Sequence, residues 1–239
     1  MSVFKFKNFS VQQSDAAMKV GTDAMLLGAF IEAENKTRAL DIGTGTGVLS
    51  LMLAQQNDTL QVTGVEIDQA SAEEAILNFK NSTWSNRLQL IHNDFLNQEF
   101  SDSFDLIVSN PPYFATTNEN NDSRKAQARH VSSLEVKPFI EKVHSILSST
   151  GSFWIIIPYI DFESWNAQTT ANSLKLARKI DIIGKRGNDP IRCILKFDLS
   201  SDCRKNESVC IRNTDNSYTD QYIELTKEFH GKDLKLPTR

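Results

Sequence analysis

The segment that most constrains the fold is an apolar run followed by three alternating glycines and a second apolar run. Residues 38–42 form a predicted buried strand, Gly43, Gly45 and Gly47 follow at every second position, and residues 47–56 are a predicted helix. Glycine permits a positive φ angle and close approach to a ligand, and the first turn of a helix leaves N–H groups free. The pattern predicts a strand–loop–helix unit of an α/β protein, with a small-molecule site at the loop.

Strands and helices are predicted to alternate along most of the chain. Further core strands are predicted at 61–66, 87–93, 104–109, 152–158, 177–184 and 190–198. Apolar strands separated by helices are typical of a mostly parallel sheet covered on both faces. A short turn between the last two strands indicates an antiparallel hairpin at one edge. We predict a doubly wound α/β fold with a mostly parallel, seven-stranded sheet.

The whole chain is expected to form one domain with three parts. Residues 1–35 would form a hairpin and a helix that cover the ligand site, and residues 36–200 would form the core. Residues 201–239 would add a C-terminal strand and helix. The resulting domain of 239 residues is long enough to bury a substantial core.

The ends of the predicted strands carry the side chains that a nucleoside cofactor needs. The glycine spacing differs from the G-x-G-x-x-G of dinucleotide sites, and Asp41 precedes it, where it can receive the ammonium group of S-adenosylmethionine. Glu66 closes the second core strand and can accept both ribose hydroxyls. Asp94 can meet the adenine amine and Phe95 can pack near the ring, although an Asn-Asp pair after a strand is also common turn chemistry. With Ile67, these residues form the predicted nucleoside site.

The sequence Asn110-Pro111-Pro112-Tyr113 follows the strand predicted at 104–109. The prolines stiffen the turn and remove backbone donors, so the turn is rich in acceptors. Such a turn suits a planar –NH2 group, with Asn110 and the Pro111 carbonyl as acceptors and Tyr113 as a stacking surface. We therefore predict that Asn110, Pro111 and Tyr113 are catalytic residues. The acceptor pattern by itself fits adenine, cytosine, guanine or glutamine.

The composition excludes several classes of protein. A hydrophobic fraction of 40%, a charged fraction of 23% and a net charge of −4 are those of a globular protein without a general affinity for nucleic acid. The N-terminus lacks the apolar region of a signal peptide, and no run of about 18 apolar residues predicts a membrane span. Cys193, Cys203 and Cys210 form no C-x-x-C pair. We expect a cytoplasmic protein without a bound metal.

Several motifs resemble those of a known family over nearly the whole chain. They are the segment 17–29, the Asn110–Tyr113 turn, the sequence Ala126-Gln127-Ala128-Arg129 and the tail 218–229. In these the chain resembles the bacterial tRNA1(Val) adenine N6-methyltransferases of the class I S-adenosylmethionine-dependent superfamily. The resemblance implies methylation of the N6 amine of an adenosine beside the anticodon, with S-adenosylmethionine as cofactor and tRNA as partner.

The resemblance adds residues to the predicted site. It implies that Thr22 and Asp23 close over the methionine end of the cofactor. The basic residues Arg124, Lys125 and Arg129 follow the catalytic turn, where they can hold RNA phosphates. The full predicted cofactor set is Thr22, Asp23, Asp41, Gly43, Gly45, Gly47, Glu66, Ile67, Asp94, Phe95 and Asn110.

The protein is expected to be a monomer. Two alternative functions of different kinds remain at this point. The first is a glutamine N5-methyltransferase acting on a peptide-release factor, because a carboxamide also presents –NH2. Such enzymes usually carry a helical N-terminal domain, and only some 35 residues precede the first core strand here. The second is a non-catalytic cofactor-binding RNA scaffold, against which the intact Asn110 turn argues.

Overall fold

A computed structural model describes residues 2–14, 19–111, 136–200 and 204–234. The strands are β1 Val3–Lys5, β2 Ser10–Gln12, β3 Arg38–Ile42, β4 Gln61–Glu66, β5 Leu88–His92, β6 Phe104–Ser109, β7 Leu147–Pro158, β8 Lys175–Lys185, β9 Pro190–Asp198 and β10 Lys205–Arg212. The helices are α1 Thr22–Phe30, α2 Val48–Gln56, α3 Gln69–Lys80, α4 Val136–Ile146, α5 Phe162–Ala171 and α6 Asp220–Thr226.

The described strands form one large sheet and a separate two-stranded hairpin. The large sheet has the order β10-β8-β9-β7-β6-β3-β4-β5, and β1 pairs with β2. Within the large sheet β9 is antiparallel to both of its neighbours, while the other described pairs are parallel. The prediction of a mostly parallel α/β sheet with an antiparallel hairpin is confirmed.

The prediction of seven strands and of an edge hairpin is corrected by β10. This eighth strand pairs in parallel with β8, from Lys205 opposite Arg178 to Arg212 opposite Lys185, so the β8–β9 hairpin does not form the edge. The side chains of Val209 and Ile211 are buried against the main core. A buried apolar pair of this kind marks a strand in the sequence, but it does not say which strand becomes its neighbour.

Each face of the sheet packs its own hydrophobic core. Alternate residues of the strands point to opposite faces, as a pleated sheet requires. One face carries Val62, Leu106, Val108, Trp154 and Ile156 and is covered by α1 and α2. The other carries Leu40, Ile107, Phe153, Ile155 and Ile157 and is covered by α4 and α5. We call these the α2 face and the α5 face.

The N-terminal hairpin is joined to the loop that follows β3. The Asn78 amide donates to the Thr46 carbonyl at 2.8 Å and to the Gln12 carbonyl at 3.0 Å, and its oxygen accepts from the Gln12 N–H. This buried side chain of α3 therefore ties β2 to the glycine loop.

No helix in the described ranges is long and apolar enough to cross a membrane.

Candidate active site

The three glycines of the loop after β3 all adopt positive φ angles, of 68° at Gly43, 55° at Gly45 and 85° at Gly47. A Cβ atom added to Gly43 or Gly45 would meet nothing within 4 Å, whereas one on Gly47 would lie 2.5 Å from Cε1 of Phe79. Gly47 is thus required by packing as well as by backbone conformation. Gly43 and Gly45 leave open space beside the backbone, which is where a ligand can approach.

Asp41 is fully buried at the end of β3 and has one oxygen to spare. Its Oδ2 accepts hydrogen bonds from the Ser50 hydroxyl at 2.7 Å and the Ser50 N–H at 3.1 Å. Its Oδ1 is buried and has no hydrogen-bond partner among the described residues. Burial raises the pKa of Asp41 to about 6, against the lowering effect of the Ser50 and Thr44 hydroxyls. A buried acceptor of this kind is costly unless a donor completes it.

Glu66 closes β4 and braces the glycine loop. Its carboxylate accepts from the Gly45 N–H at 2.7 Å and from the Asp68 N–H at 2.9 Å. A carboxylate offers about four lone-pair positions, so further acceptor capacity remains for two hydroxyl groups. The next residue, Ile67, is 66% exposed. An exposed aliphatic side chain beside a carboxylate with spare acceptor capacity offers a surface for a flat ring.

The turn after β5 engages both oxygens of Asp94. Oδ1 accepts from the Leu96 N–H at 2.9 Å and Oδ2 from the Asn97 amide at 2.9 Å. The turn chemistry considered for Asp94 is therefore present, and adenine would have to use the remaining lone pairs. Phe95 is buried and packs against Phe139 with a centroid separation of 5.2 Å. Its ring lies in the core of the α5 face.

Asn110 follows β6 and lies level with the glycine loop. Ile42, the last residue of β3, pairs with Ser109 on β6 and with Val65 on β4. Continuing this register by one residue places Gly43 level with Asn110 on one side and with Glu66 on the other. Neighbouring strands are about 4.8 Å apart, which makes these close neighbours. The Asn110 Oδ1 atom is buried without a hydrogen-bond partner among the described residues. Strand alternation assigns Asp41, Glu66 and Asn110 to the α2 face.

The start of α1 is held against the sheet by an ion pair. Asp23 Oδ2 lies 3.4 Å from Arg192 Nε on β9, and both side chains are largely buried. Burial raises the pKa of Asp23, and the Arg192 charge opposes this shift. Thr22 is exposed at the first position of the helix. The structure thus gives Asp23 a protein partner, and the contact with the cofactor that the family resemblance implies stays a prediction.

Sequence reasoning missed three residues that shape this site: Ser50, Asn78 and Arg192. Ser50 fixes one oxygen of Asp41, Asn78 anchors the glycine loop, and Arg192 anchors α1. Asn78 and Arg192 act on segments that are distant in the chain, so no local pattern could have revealed them. Ser50 is only nine residues from Asp41, and its position in the first turn of α2 was the signal that could have found it.

Part of the predicted site lies outside the described residues. This applies to Tyr113 and to the predicted RNA contacts Arg124, Lys125 and Arg129. Pro111 is described and is partly buried. Within the described ranges, no group of three or more His, Cys, Asp or Glu side chains could hold a metal ion.

The fold resembles solved structures that are described as methyltransferases. The crystal structure of a predicted O-methyltransferase from Agrobacterium tumefaciens matches with a TM-score of 0.67 at 19% identity, covering 87% of this chain and 96% of that one. A SAM-dependent methyltransferase from Corynebacterium glutamicum matches with a TM-score of 0.53 at 17% identity, covering 76% and 89%. The protein has the class I methyltransferase fold.

Sequence comparison is more specific. Residues 7–160 match the methyltransferase small domain family. A tRNA1(Val) (adenine(37)-N6)-methyltransferase of Bacteroides fragilis is 38% identical over 233 residues, which cover 96% of this chain and 98% of that protein. The enzyme of the same name from Haemophilus influenzae is 37% identical over 235 residues, or 97% and 100% of the two chains. The chain belongs to the methyltransferase small domain family and, within it, to the family of tRNA1(Val) (adenine(37)-N6)-methyltransferases.

Proposed function

We propose that this protein transfers a methyl group from S-adenosylmethionine to the exocyclic N6 amine of adenosine 37 in tRNA1(Val). The observation that carries the proposal is the unpartnered Oδ1 atom of Asn110, buried beside the glycine loop. It is an acceptor for which the described residues supply no donor, at the place where an amine would meet the cofactor. Relatives of nearly the same length bear the name of this activity.

The residues present fit the cofactor. The spare Oδ1 of Asp41 would accept from the ammonium group, directly or through one bridging water. Glu66 would accept the ribose hydroxyls and the exposed Ile67 would lie against the adenine. The open space at Gly43 and Gly45 would admit the methionine portion. When bound, S-adenosylmethionine supplies an electrophilic methyl group on a sulfonium.

Asn110 would orient the target amine. Its Oδ1 accepts one amine hydrogen and the Pro111 carbonyl accepts the other, so the nitrogen lone pair is aimed away from the turn. Positive charge grows on the nitrogen during transfer, and both acceptors stabilise it. Tyr113 would stack under the base after the base has left its own stack. Positioning of this kind accounts for roughly 7–11 kcal/mol in well-aligned reactions, and the released proton can pass to solvent.

The basic residues that follow the turn would hold the RNA. Arg124, Lys125 and Arg129 carry three positive charges within six positions of a chain whose net charge is −4. Neutralising all three should weaken tRNA binding and lower its dependence on salt by up to about three units of slope.

Methylation of a glutamine carboxamide remains the second candidate, because the Asn110 turn would accept that –NH2 group equally well. Single-turnover assays on an unmodified valine tRNA transcript and on a release-factor peptide would separate the two. Methylation of the peptide but not of the transcript would overturn the proposal.

The test of the catalytic assignment is substitution of Asn110. Asn110→Ala should leave cofactor affinity within a few-fold and cut the single-turnover rate severely, because the hydrogen bond matters most as charge develops. Asn110→Asp keeps an acceptor of the same size and should retain part of the activity. Asn206→Ala, at the opposite end of the sheet, is the matched control. A wild-type rate for Asn110→Ala would show that the segment is only a turn.

A further inference from the structure

The carboxyl edge of the sheet continues past the candidate active site onto a surface that the proposed chemistry does not use. Pro158 at the end of β7 pairs with Arg192, and β9 contacts the turn 159–161. This brings Tyr159 and Ile160 next to Ile191. The β8–β9 turn then adds Lys185 and Arg186. We call these five residues the hairpin surface.

Three of these side chains are apolar or aromatic and are exposed to solvent. Ile160 is 77% exposed, Ile191 is 51% exposed and Tyr159 is 37% exposed. Single exposed hydrophobic residues need no explanation, whereas neighbouring exposed apolar side chains are typical of an interaction site. The Lys179 ammonium lies 4.6 Å from the centroid of the Tyr159 ring. With a cation over one face of the ring, the exposed part favours an electron-rich partner such as a nucleobase over a second cation.

Positive charge borders the apolar group. The segment 185–192 contains Lys185, Arg186 and Arg192 beside one acid, Asp189. Arg192 pairs with Asp23 and also interacts with Asp161, so Lys185 and Arg186 are the cations that remain for a partner.

Arg186 is exposed, and its backbone N–H is held by the Arg212 carbonyl at 2.8 Å, so the turn is fixed in place. The Lys185 ammonium donates to the neutral Asn216 oxygen, and its charge also helps to lower the pKa of the nearby, exposed Asp215 carboxylate. A phosphate would compete with that carboxylate for the Lys185 charge.

The hairpin surface is close enough to contact the same substrate. Lys185 is three strands from Asn110 in the order β6-β7-β9-β8, and the strand register places Ser109 level with Lys179, so Lys185 also lies about five residues further along its strand. At about 4.8 Å per strand and 3.3 Å per residue the separation is roughly 20 Å, a distance that a few nucleotides can span. Cations beside exposed rings and aliphatic side chains are the combination that binds single-stranded nucleic acid: cations meet phosphates and flat surfaces meet unstacked bases. RNA is favoured over a protein partner because Lys185 and Arg186 lie beside the exposed apolar side chains, on the same edge of the sheet as the candidate active site.

We infer that the hairpin surface is an RNA-docking platform that binds the nucleotides flanking the target base. Lys185 and Arg186 contact phosphates, Tyr159 stacks on an unpaired base, and Ile160 and Ile191 cover its edge. This inference rests on the proposed tRNA substrate and extends it to a second contact surface.

The charge is tested with Lys185→Gln/Arg186→Gln, using Lys175→Gln/Lys205→Gln as a control. The control removes two lysines from the strand starts at the opposite edge of the sheet. Binding of an unmodified valine tRNA transcript is measured at several salt concentrations. The test variant should lower the slope of log affinity against log salt by about 1.4–1.8, and the control should not change it. An equal slope in the test variant and the wild type overturns the inference.

The stacking surface is tested with Tyr159→Ala against Tyr159→Phe. Tyr159→Ala should weaken binding of the transcript by between about fivefold and a hundredfold, whereas Tyr159→Phe keeps the ring and should stay within about twofold. Cofactor affinity, measured by calorimetry, should match the wild type in every variant and so reports correct folding. If Tyr159→Ala binds the transcript as the wild type does, the ring is not a stacking surface and the inference fails.

Two further outcomes separate this inference from its premises. If the wild type methylates the transcript while all hairpin-surface variants bind it normally, the inference fails and the proposed function stands. If the wild type neither binds nor methylates any tRNA, the proposed function fails first. A dimer in light scattering that is lost in Ile160→Ser/Ile191→Ser would identify the surface as an interface between copies, and would also overturn the inference.

Discussion

At the scale of single residues, the candidate site is defined by buried acceptors that the described protein does not satisfy. Asp41 Oδ1 and Asn110 Oδ1 are both buried without partners in the described ranges. A buried polar atom left without a donor costs about 1–3 kcal/mol, so two such atoms beside a glycine loop indicate groups that a ligand completes. Glu66, by contrast, already holds two backbone N–H groups.

Asp41 gives a pH-dependent prediction for cofactor binding. Its pKa is raised by burial to about 6, so near that pH part of the ligand-free protein carries a protonated carboxyl. The ammonium of S-adenosylmethionine favours the ionised form, so binding should release about half a proton at a pH equal to the pKa. Affinity should fall as the pH drops below about 6. Calorimetry in buffers of different ionisation enthalpy measures both effects.

The control is Asp41→Asn, in which the release of a proton should vanish. Loss of the hydrogen bond to a charged group should also weaken binding by one or two orders of magnitude, from about 1.5–3 kcal/mol. Persistent proton release in Asp41→Asn would assign the titration to another group. For stability the sign is opposite: the folded-state pKa lies above the usual 3.8, so the contribution of Asp41 is greatest at low pH and is lost as the pH rises through about 6.

At the scale of elements, the glycine loop divides into a part that faces open space and a part required by packing. Gly45→Ala places a side chain at a positive φ, at a cost of about 1–2 kcal/mol, but in open space. We expect it to weaken cofactor binding more than folding. Gly47→Ala should lower the free energy of unfolding more, because its Cβ would lie 2.5 Å from Phe79. Urea unfolding and calorimetry on both variants check this contrast.

The matched rescue is Gly47→Ala/Phe79→Leu. Replacing the Phe79 ring with the smaller Leu side chain relieves the contact. Phe79→Leu should therefore lower the free energy of unfolding less in the Gly47→Ala background than in the wild type. Additive losses of stability would show that the clash with Phe79 is not what makes Gly47 necessary.

The Asp23–Arg192 pair joins α1 to β9, and a double-mutant cycle can measure that connection. Asp23→Asn, Arg192→Gln and the double variant should give a coupling free energy of roughly 0.5–3 kcal/mol, since both side chains are largely buried. The destabilisation by Arg192→Gln should shrink at acidic pH, because Asp23 is then neutral and needs no counter-ion. A coupling near zero in urea unfolding at neutral pH would show that this pair does not hold α1.

At the scale of the molecule, both ends of the described chain are built into the main core. The Lys7 backbone N–H donates to the Phe229 carbonyl at 2.9 Å, and Phe6 forms an isolated antiparallel β-bridge with His230. Phe6, Phe229 and Val209 belong to one buried cluster. A cavity of about 350 Å³ lined by Lys7, Lys227 and His230 lies at this junction and includes none of the predicted site residues.

This packing predicts that the chain unfolds as one unit. We expect one cooperative transition in urea, with the same midpoint by fluorescence and circular dichroism. Phe229→Ala, which removes a buried ring from the C-terminal segment, should lower the free energy of unfolding by about 3–5 kcal/mol and move both midpoints together. Lys227→Ala, at an exposed position two residues away, serves as the surface control. Two separate transitions would indicate that the parts fold independently.

Sequence alone determined the class of fold and the local chemistry. The glycine loop, the acid at the end of β4 and the Asn-Pro turn are contiguous patterns, and strand periodicity and turn residues are local properties. They sufficed to predict the parallel core strands and to name Asp41, Glu66 and Asn110. They also left Asp94 with two possible roles, a contact with adenine or hydrogen bonding within a turn. The structure shows the hydrogen bonds of the turn.

Only the tertiary structure decided which distant segments become neighbours. It added β10 beside β8, gave Asp23 the partner Arg192, and brought Ile191 next to Tyr159. In each case more than ten residues separate the partners, and the choice between rival pairings depends on burial summed over the whole sheet. Local pattern specifies which face of a strand is apolar, but strand order and long-range ion pairs follow from the packing of all elements together.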